Sequence, residues 1–313
     1  MDFKQLKTFI CVAETGSLSR ASDRLRIAQP ALSRQIKLLE HSVGVPLFDR
    51  HVRGMELTEA GSDLLRQVSG PLYQLEQSVA HVRSQGKRIS GQVTLGVLPT
   101  VTPALAVHLL QRVGKELPGV TLHLKEAYST SLLEWLQDGT VDAGFLYGPT
   151  EAYHLRTSAL LTEDIVLLSP PGALPDQGDT ISIHQLATLP LALLSRPMGP
   201  RMVIDRIARD HGVELQSAYD VDSFPILVAM VKAGLCHTFM PASSVAAERQ
   251  AGQLETRRIL PQTPRRELIL AQPSQRPTTR ATDAVIILLK DVLAGMLASG
   301  ELEARPGADL VQP

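Results

Sequence analysis

Over residues 2 to 14 the apolar positions recur at helical spacing, with Phe3, Leu6, Phe9, Ile10 and Ala13 on one face. That pattern predicts an amphipathic helix laid over a small core. Between Leu18 and Leu47 the period breaks and restarts. Ser19, Ala21, Ser22 and Leu25 share one helical face, Ile27 and Ala28 interrupt it, and Gln29-Pro30 opens a second helix carrying Ala31, Leu32, Ile36 and Leu39. Proline is tolerated only in the first turn of a helix, so this helix begins at or just before Pro30. Gln29, Ser33, Arg34 and Lys37 then lie near its start on a polar face. Two short helices across a tight turn form a helix-turn-helix, which sets the start of its second helix against base edges in the major groove of DNA. A plain amphipathic pair with a solvated basic face is the other reading. The stretch VGVPLFDRHVRGMELTEAG that follows reads as a hairpin with Arg50 and Arg53 at its tip, then a helix start at Thr58-Glu59. A basic hairpin beside a helix-turn-helix is a wing, suited to phosphate or minor-groove contact.

The next helix carries Leu64, Leu65, Val68, Leu72, Leu75, Val79 and Val82, a stripe too long for a small head to cover. It predicts a partner helix from a second subunit, joined through Leu65, Val68, Leu72, Leu75 and Val79; packing on the chain's own body is the alternative. Gly70-Pro71 predicts a kink, and the Gly-punctuated residues 85 to 91 predict a hinge. Beyond it strands alternate with helices: QVTLGVL, VTLHLKEA, VDAGFLY, DIVLLSP, LALLS, LQSAYDV, HTFMP and RELILAQP are the strands. Such alternation predicts a parallel sheet with crossover helices. From Glu301 onward no apolar pattern remains, and a frayed tail is expected.

Together LKTFICVAETGSLSRASDRLRIAQPALSRQIKLLE, LFDR, Arg53-Gly54 and LTEAG resemble the winged helix-turn-helix and linker helix of LysR-type transcriptional regulators. SGQVTLGVLPTVTPA and LLQRVGKELPGV look closest to the nitrogen-assimilation-control branch. Gly70-Pro71 departs from the alanine-rich linker of that family. The resemblance implies a head over residues 1–57, a linker and hinge over 58–90, an effector-binding domain over 91–300 and a tail over 301–313. The effector-binding domain would be α/β, built of two periplasmic-binding-protein-like subdomains, residues 91–164 with 267–300 and residues 165–266, with a ligand cleft between them.

Charge supports a two-part chain. Residues 1–88 hold 13 Lys and Arg against 9 Asp and Glu, leaving 18 against 23 in the remainder, under a net charge of −1. A basic head on an acidic body suits DNA binding by one part only; a nucleoid protein needs a larger excess. Aromatic content of 4% argues against recognition by base stacking. Cys11 and Cys236 stand far apart, which disfavours disulfides and metal ribbons. A secretory leader and an apolar run of about 20 residues are both lacking, so a cytoplasmic bacterial protein is expected. The nucleotide, hydrolase and metalloprotease motifs are missing as well, so no enzyme, cofactor or metal is expected.

In open parallel sheets, ligands sit outside the carboxyl ends of strands, where helix N-termini offer N–H groups. Thr100, Val101 and Thr102 form the first such loop, and Ser129 and Thr130 the second; N-capping is the bland account of their hydroxyls. The resemblance adds a third loop with Arg196 and Met198, and makes Arg196 a candidate counter-charge for a small anionic organic effector. Ser223, Phe224 and His237 are further candidates for lining the cleft. The expected function is effector-modulated transcriptional regulation. Its partners would be operator DNA of interrupted dyad symmetry, a second copy of the chain in a dimer or tetramer, and RNA polymerase. A small-molecule carrier or solute-binding protein is the alternative.

Overall fold

The computed structural model describes residues 1–51, 54–83, 89–148, 154–175, 178–196, 199–275 and 277–310. Three helices, α1 (Phe3–Thr15), α2 (Leu18–Leu25) and α3 (Gln29–Val43), and the hairpin β1 (Phe48–His51) and β2 (Gly54–Leu57) make the head. Asp2 and Gln5 form a reciprocal capping box at the start of α1, which satisfies two of its orphan N–H groups. Gly16 ends α1 in the left-handed region (φ 61°), and Ser17 caps α2 at once. The head core gathers Phe9, Val12, Ala21, Leu32, Ile36, Leu39, Leu47 and Phe48, with the Phe9 and Phe48 rings tilted at 5.4 Å between centroids. Phe3, expected in that core, is exposed, and Cys11 and Val12 are buried instead. Phe9 is nonetheless fully buried and Leu6, Ile10 and Ala13 pack beside it, so the core face of α1 is the expected one without its first residue.

Helix α4 (Glu59–Arg83) runs uninterrupted through Pro71. Thr58 starts it, accepting from Gly61 N at 3.0 Å and donating to Pro46 O at 2.8 Å. Leu65 and Val68 pack on the head's own core and Leu72 is buried. Of the stripe expected to meet a second subunit, only Leu75 and Val79 remain well exposed. The first part of the stripe is therefore covered within the chain.

The body follows as β3 (Ser90–Val97), α5 (Thr102–Glu116), β4 (Gly119–Glu126), α6 (Ser129–Asp138), β5 (Ala143–Tyr147), β6 (Leu155–Ser169), β7 (Thr180–Ser182), α7 (Ile183–Leu186), β8 (Leu191–Leu193), α8 (Gly199–Asp210), β9 (Ser217–Asp220), α9 (Phe224–Lys232), β10 (Thr238–Pro241), α10 (Ala246–Gln250), β11 (Glu255–Leu260), β12 (Arg265–Pro273), α11 (Arg280–Ser299) and β13 (Arg305–Pro306). The main sheet has the order β4-β3-β5-β12-β6-β11-β7. The parallel expectation holds for β4, β3 and β5 and again for β11 with β7, and fails between them, because β12 is antiparallel to both β5 and β6 and β11 is antiparallel to β6. The strand that links them is β6, 15 residues long, which pairs with β12 from Leu155 to Asp164 around a bulge at Leu160 and with β10 and β11 over its last five residues. The division drawn at residues 164 and 165 falls inside this single strand. Its upstream half, LRTSALLTED, is too polar to stand out beside IVLLS.

Strand alternation builds the second lobe. Ile165 and Leu167 join one apolar cluster with Ile181, Ile204 and Phe239, while Val166 and Leu168 join another with Leu227, Val231 and Met240. Both faces of β6 are buried here, as a period-2 strand between two layers requires. The first lobe has its own core of β3, β5, β12, α5, α6 and α11 residues.

The segment after Glu301 is not a frayed tail. Leu302 is buried, Arg305 and Pro306 pair with Thr162 and Leu161 of β6, and Asp309 accepts from Ala159 N at 2.7 Å. Backbone pairing to an open edge needs no apolar period, which is why the composition hides it.

Gly70 of α4 lies against the end of α6, where a Cβ would overlap the Asp138 carbonyl. Gly70→Ala improves helix propensity by about 1 kcal/mol, but overpacking against backbone costs about 1–3 kcal/mol. A net destabilisation of up to about 2 kcal/mol is expected in urea denaturation. A stabilised variant would show that α4 and α6 do not stay in contact.

Candidate functional site

Two surfaces carry the chemistry. On the head, Gln29, Pro30, Arg34 and Lys37 are exposed along the first turns of α3, and Ser33 is half-buried. Leu32, Ile36 and Leu39 hold the opposite face of α3 in the core, and the Thr8 hydroxyl donates to the Gln35 side chain from α1. The polar face is thus presented by a helix that cannot rotate. The hairpin is pinned beside it, since Met55 N donates to Gly16 O at 3.0 Å. Gly54 is required there, with φ 144° and a built Cβ only 2.5 Å from Gly16 O. Arg53, and the side chain of Arg50, lie outside the described residues.

The second surface is a cavity of about 110 Å³ between the lobes, at an interlobe hinge where β6 passes from one to the other; residues 85–88 of the separate hinge expected ahead of β3 lie outside the described residues. Thr100, Ser129, Thr130 and Phe224 line it, together with Tyr128, Tyr147, Leu194, Phe239, Met240 and Arg266. Other expected residues lie elsewhere. Val101 and Thr102 both donate N–H to Leu98 O, a turn that sends Val101 into the first-lobe core and engages the Thr102 hydroxyl with the same carbonyl. Ser223 stands at the start of α9 without lining the cavity; its neighbour Asp222 instead accepts from Tyr128 OH across the cleft at 3.2 Å. Met198 lies outside the described residues.

Arg196 does not line the cavity. Its side chain is 64% exposed and its Nε sits 2.7 Å from Asp205, which Arg201 also holds at 2.9 Å. Burial pushes the Asp205 carboxyl up, but hydrogen bonds from Arg196 and Arg201 outweigh it and keep that carboxyl below its usual range. His237 is also outside the cavity, buried in the second lobe with Nδ1 2.8 Å from Ser169 Oγ.

The cation of the cleft is Arg266, whose side chain is 4% exposed and lies 3.0 Å from Glu163, itself 3% exposed. These residues are register partners on β12 and β6. Arg266 Nη2 donates to Thr100 Oγ1 at 3.1 Å, and its guanidinium lies 3.7 Å above the Tyr147 ring. Thr100 and Tyr147 share a 2.5 Å hydroxyl contact, and burial raises the Tyr147 phenol above its ordinary range. On the second lobe, the Ser243 hydroxyl donates to Glu163. A signal for the pair was present: Arg266 alternates with Leu268 and Leu270, and Glu163 with Leu161 and Ile165, so each is a charge on the inward series of its strand.

An exposed polar helix start beside a wing, carried on a two-lobed α/β body with a cavity at its hinge, defines a DNA-binding regulator that responds to a small molecule. The LysR substrate binding domain matches over residues 86–294, and the bacterial regulatory helix-turn-helix protein of the lysR family over residues 3–62. The chain belongs to the LysR family of transcriptional regulators. It is 31% identical to the nitrogen assimilation regulatory protein nac of Klebsiella aerogenes, over 97% of this chain and 98% of that protein. The Escherichia coli protein of that name is 28% identical over the same shares. Both relatives are regulators, against the carrier alternative. A full-length OxyR variant from Pseudomonas aeruginosa has the same fold, with a TM-score of 0.71 at 22% identity, covering 100% of this chain and 99% of that one. So does full-length CbnR in complex with its target DNA, at 0.71 and 24%, covering 93% and 100%.

His237 gives a pH prediction. Burial lowers its pKa below the ordinary 6.5, so its neutral form is the one compatible with the fold. As pH drops below about 6.5 the unfolded chain takes up a proton that folded His237 refuses. Stability conferred by the neutral ring is complete above that pH and is lost below it, by at most about 1.4 kcal/mol per pH unit. Urea denaturation at pH 7.5 and 5.5 should show this loss, and His237→Gln should reduce it; an equal loss in the variant would assign it to other groups.

Proposed function

We propose that this regulator reads its operator with Gln29, Ser33, Arg34 and Lys37 of α3, supported by phosphate contacts from Arg50 and Arg53, and that a small effector in the hinge cavity alters its action. The observation that carries the second half is the convergence of Thr100, Ser129, Thr130 and Phe224, from both lobes, on one enclosed cavity at the hinge. A ligand shifts an equilibrium between lobe arrangements only by its differential affinity for them. A site made from both lobes has that differential built in, because opening the lobes dismantles it. The protein acts as a regulator and not as an enzyme, with no cofactor beyond the effector. DNA and RNA polymerase as partners place it in the cytoplasm.

Two copies are needed, since one head covers a short half-site and two-fold symmetry calls for an interrupted dyad with half-sites a whole number of turns apart. The exposed pair Leu75 and Val79, one helical turn apart on α4, supports self-association there. The head, linker and effector-binding domain divide at residues 57 and 90 in this reading.

Arg34→Ala should weaken operator binding by about 1–3 kcal/mol and relax specificity at one base pair of each half-site. Fluorescence anisotropy with operator variants measures both; unchanged affinity would remove Arg34 from the interface. Glutamate at both Leu75 and Val79 should yield monomers in light scattering and lose tight operator binding. A stable dimer in that variant would move the interface off this face of α4.

A further inference from the structure

We propose that residues 301–310 are a strap that holds the two lobes in the arrangement seen here, and that releasing it loosens the interlobe hinge whatever the cavity binds. Backbone accounting on β6 leads to it. In the register of β6 with β12, Leu161 faces Leu268 and Ala159 faces Ile269, so Leu160 is an extra residue without a partner on β12. A bulge of this kind bends and twists its strand, and the backbone groups around it must be met from elsewhere. The strap meets them. Leu160 O accepts from Gly307 N at 2.7 Å, Ala159 N donates to the Asp309 carboxylate at 2.7 Å, and Ala159 O accepts from Asp309 N at 3.1 Å. Arg305 and Pro306 continue the pairing as β13 against Thr162 and Leu161. Close approach is built in at Gly307, where a Cβ would lie 2.4 Å from Ala159 O. A strand bent at a bulge and bare along one edge can take several angles; a segment seated in the bulge selects one.

The strap has its footing in the first lobe. Leu302 belongs to that lobe's core, Ala304 and Leu310 pack against it, and Lys290 of α11 donates to Asp309 O at 3.2 Å. From there it runs along β6 toward the second lobe. Its pairing reaches Thr162, second-lobe pairing through β10 begins at Ile165, and the hinge falls on Glu163 and Asp164 between them. Two ion pairs work across that point. Arg305 lies 3.4 Å from Asp164, and Glu303 pairs with Arg249 of α10 in the second lobe. Around the second pair is a cavity of about 390 Å³, bordered by Asp179, Thr256 and Arg258 of the second lobe and by Glu303 and Arg305 of the strap. The tie between strap and second lobe is thus a charge contact beside open space. Such a pair restrains the lobes without locking them.

Double electron–electron resonance on the full chain tests this, with spin labels on Lys115→Cys in α5 and Arg209→Cys in α8, one exposed position in each lobe. Cys11 and Cys236 are buried and stay unlabelled, and dilution with unlabelled chain keeps the signal within one protomer. Glu303→Arg sets two cations against each other and should raise the population outside the parent's distance peak about twofold to fivefold. R249E/E303R, which reverses the pair, should restore the parent distribution. Gly307→Ala should unseat the strap from the bulge, broaden the distribution, and speed amide exchange at Ala159 by about tenfold. Circular dichroism checks that each variant is folded. If Gly307→Ala is not, Asp309→Ala, which removes the acceptor of Ala159 N, takes its place with the same expectations. A parent-like distribution in Glu303→Arg, or one that R249E/E303R does not restore, would overturn the tie to the second lobe. Unchanged Ala159 exchange in the folded strap variant would overturn the seat in the bulge.

Discussion

The body of this protein is organised about a charge pair buried where its two lobes share strands. Glu163 and Arg266 face each other on β6 and β12, the two antiparallel strands that continue from one lobe toward the other. Removing one partner of such a pair strands the other away from water and costs about 3–5 kcal/mol, whereas the intact pair adds little over apolar side chains of similar volume. Its contribution is alignment. With both charges satisfied only in this register, a one-residue slip of β12 against β6 would turn Arg266 to the opposite face and leave Glu163 unpaired. The same register sets Tyr147 beneath the guanidinium and Thr100 against it, so the polar wall of the cavity follows from the pairing of two strands.

From that ladder the lobes part by alternation. Downstream of Glu163 each successive residue of β6 feeds a different apolar cluster, and helices cover both faces. Upstream, β6 lies between β12 and the returning C-terminal segment, whose Gly307 N donates to Leu160 O at 2.7 Å and whose Arg305 reaches Asp164. Arg249 and Glu303 form an ion pair between the second lobe and this segment. The back of the hinge is thus closed by backbone pairing and exposed charges, and the front by Tyr128 donating to Asp222 O. Exposed ion pairs add little to stability; in a hinge this allows the lobes to shift without breaking a core.

The head joins this body through one helix. Leu65 and Val68 belong to the head core, while Gly70 admits the end of α6 so closely that no side chain fits between. The first lobe thus touches the linker through backbone, within one turn of the head core at Val68. Leu75 and Val79, beyond that contact, are exposed. Head, linker and first lobe are thus consecutive surfaces of one chain.

Local chemistry was enough to determine the head. Pro30 at the start of α3 and the 3.6 period of Leu32, Ile36 and Leu39 are decided by contacts close in sequence, and so the exposed polar start of α3 was legible. The two hydroxyl loops at Thr100 and Ser129 were legible for the same reason, because strand-to-helix loops and caps are local events. Which charge enters the cleft was not. Arg196 and Arg266 are both arginines near polar residues, and only the fold leaves the first exposed over a buried Asp205 and buries the second against Glu163, 103 positions away in the chain. The same holds for the antiparallel course of β6 and the ordered C-terminal segment, since strand partners and edges are settled by long-range backbone hydrogen bonds that leave no period in composition. What the sequence determined was what each segment does with its neighbours; what the tertiary structure decided was which distant segments complete each other's hydrogen bonds and charges.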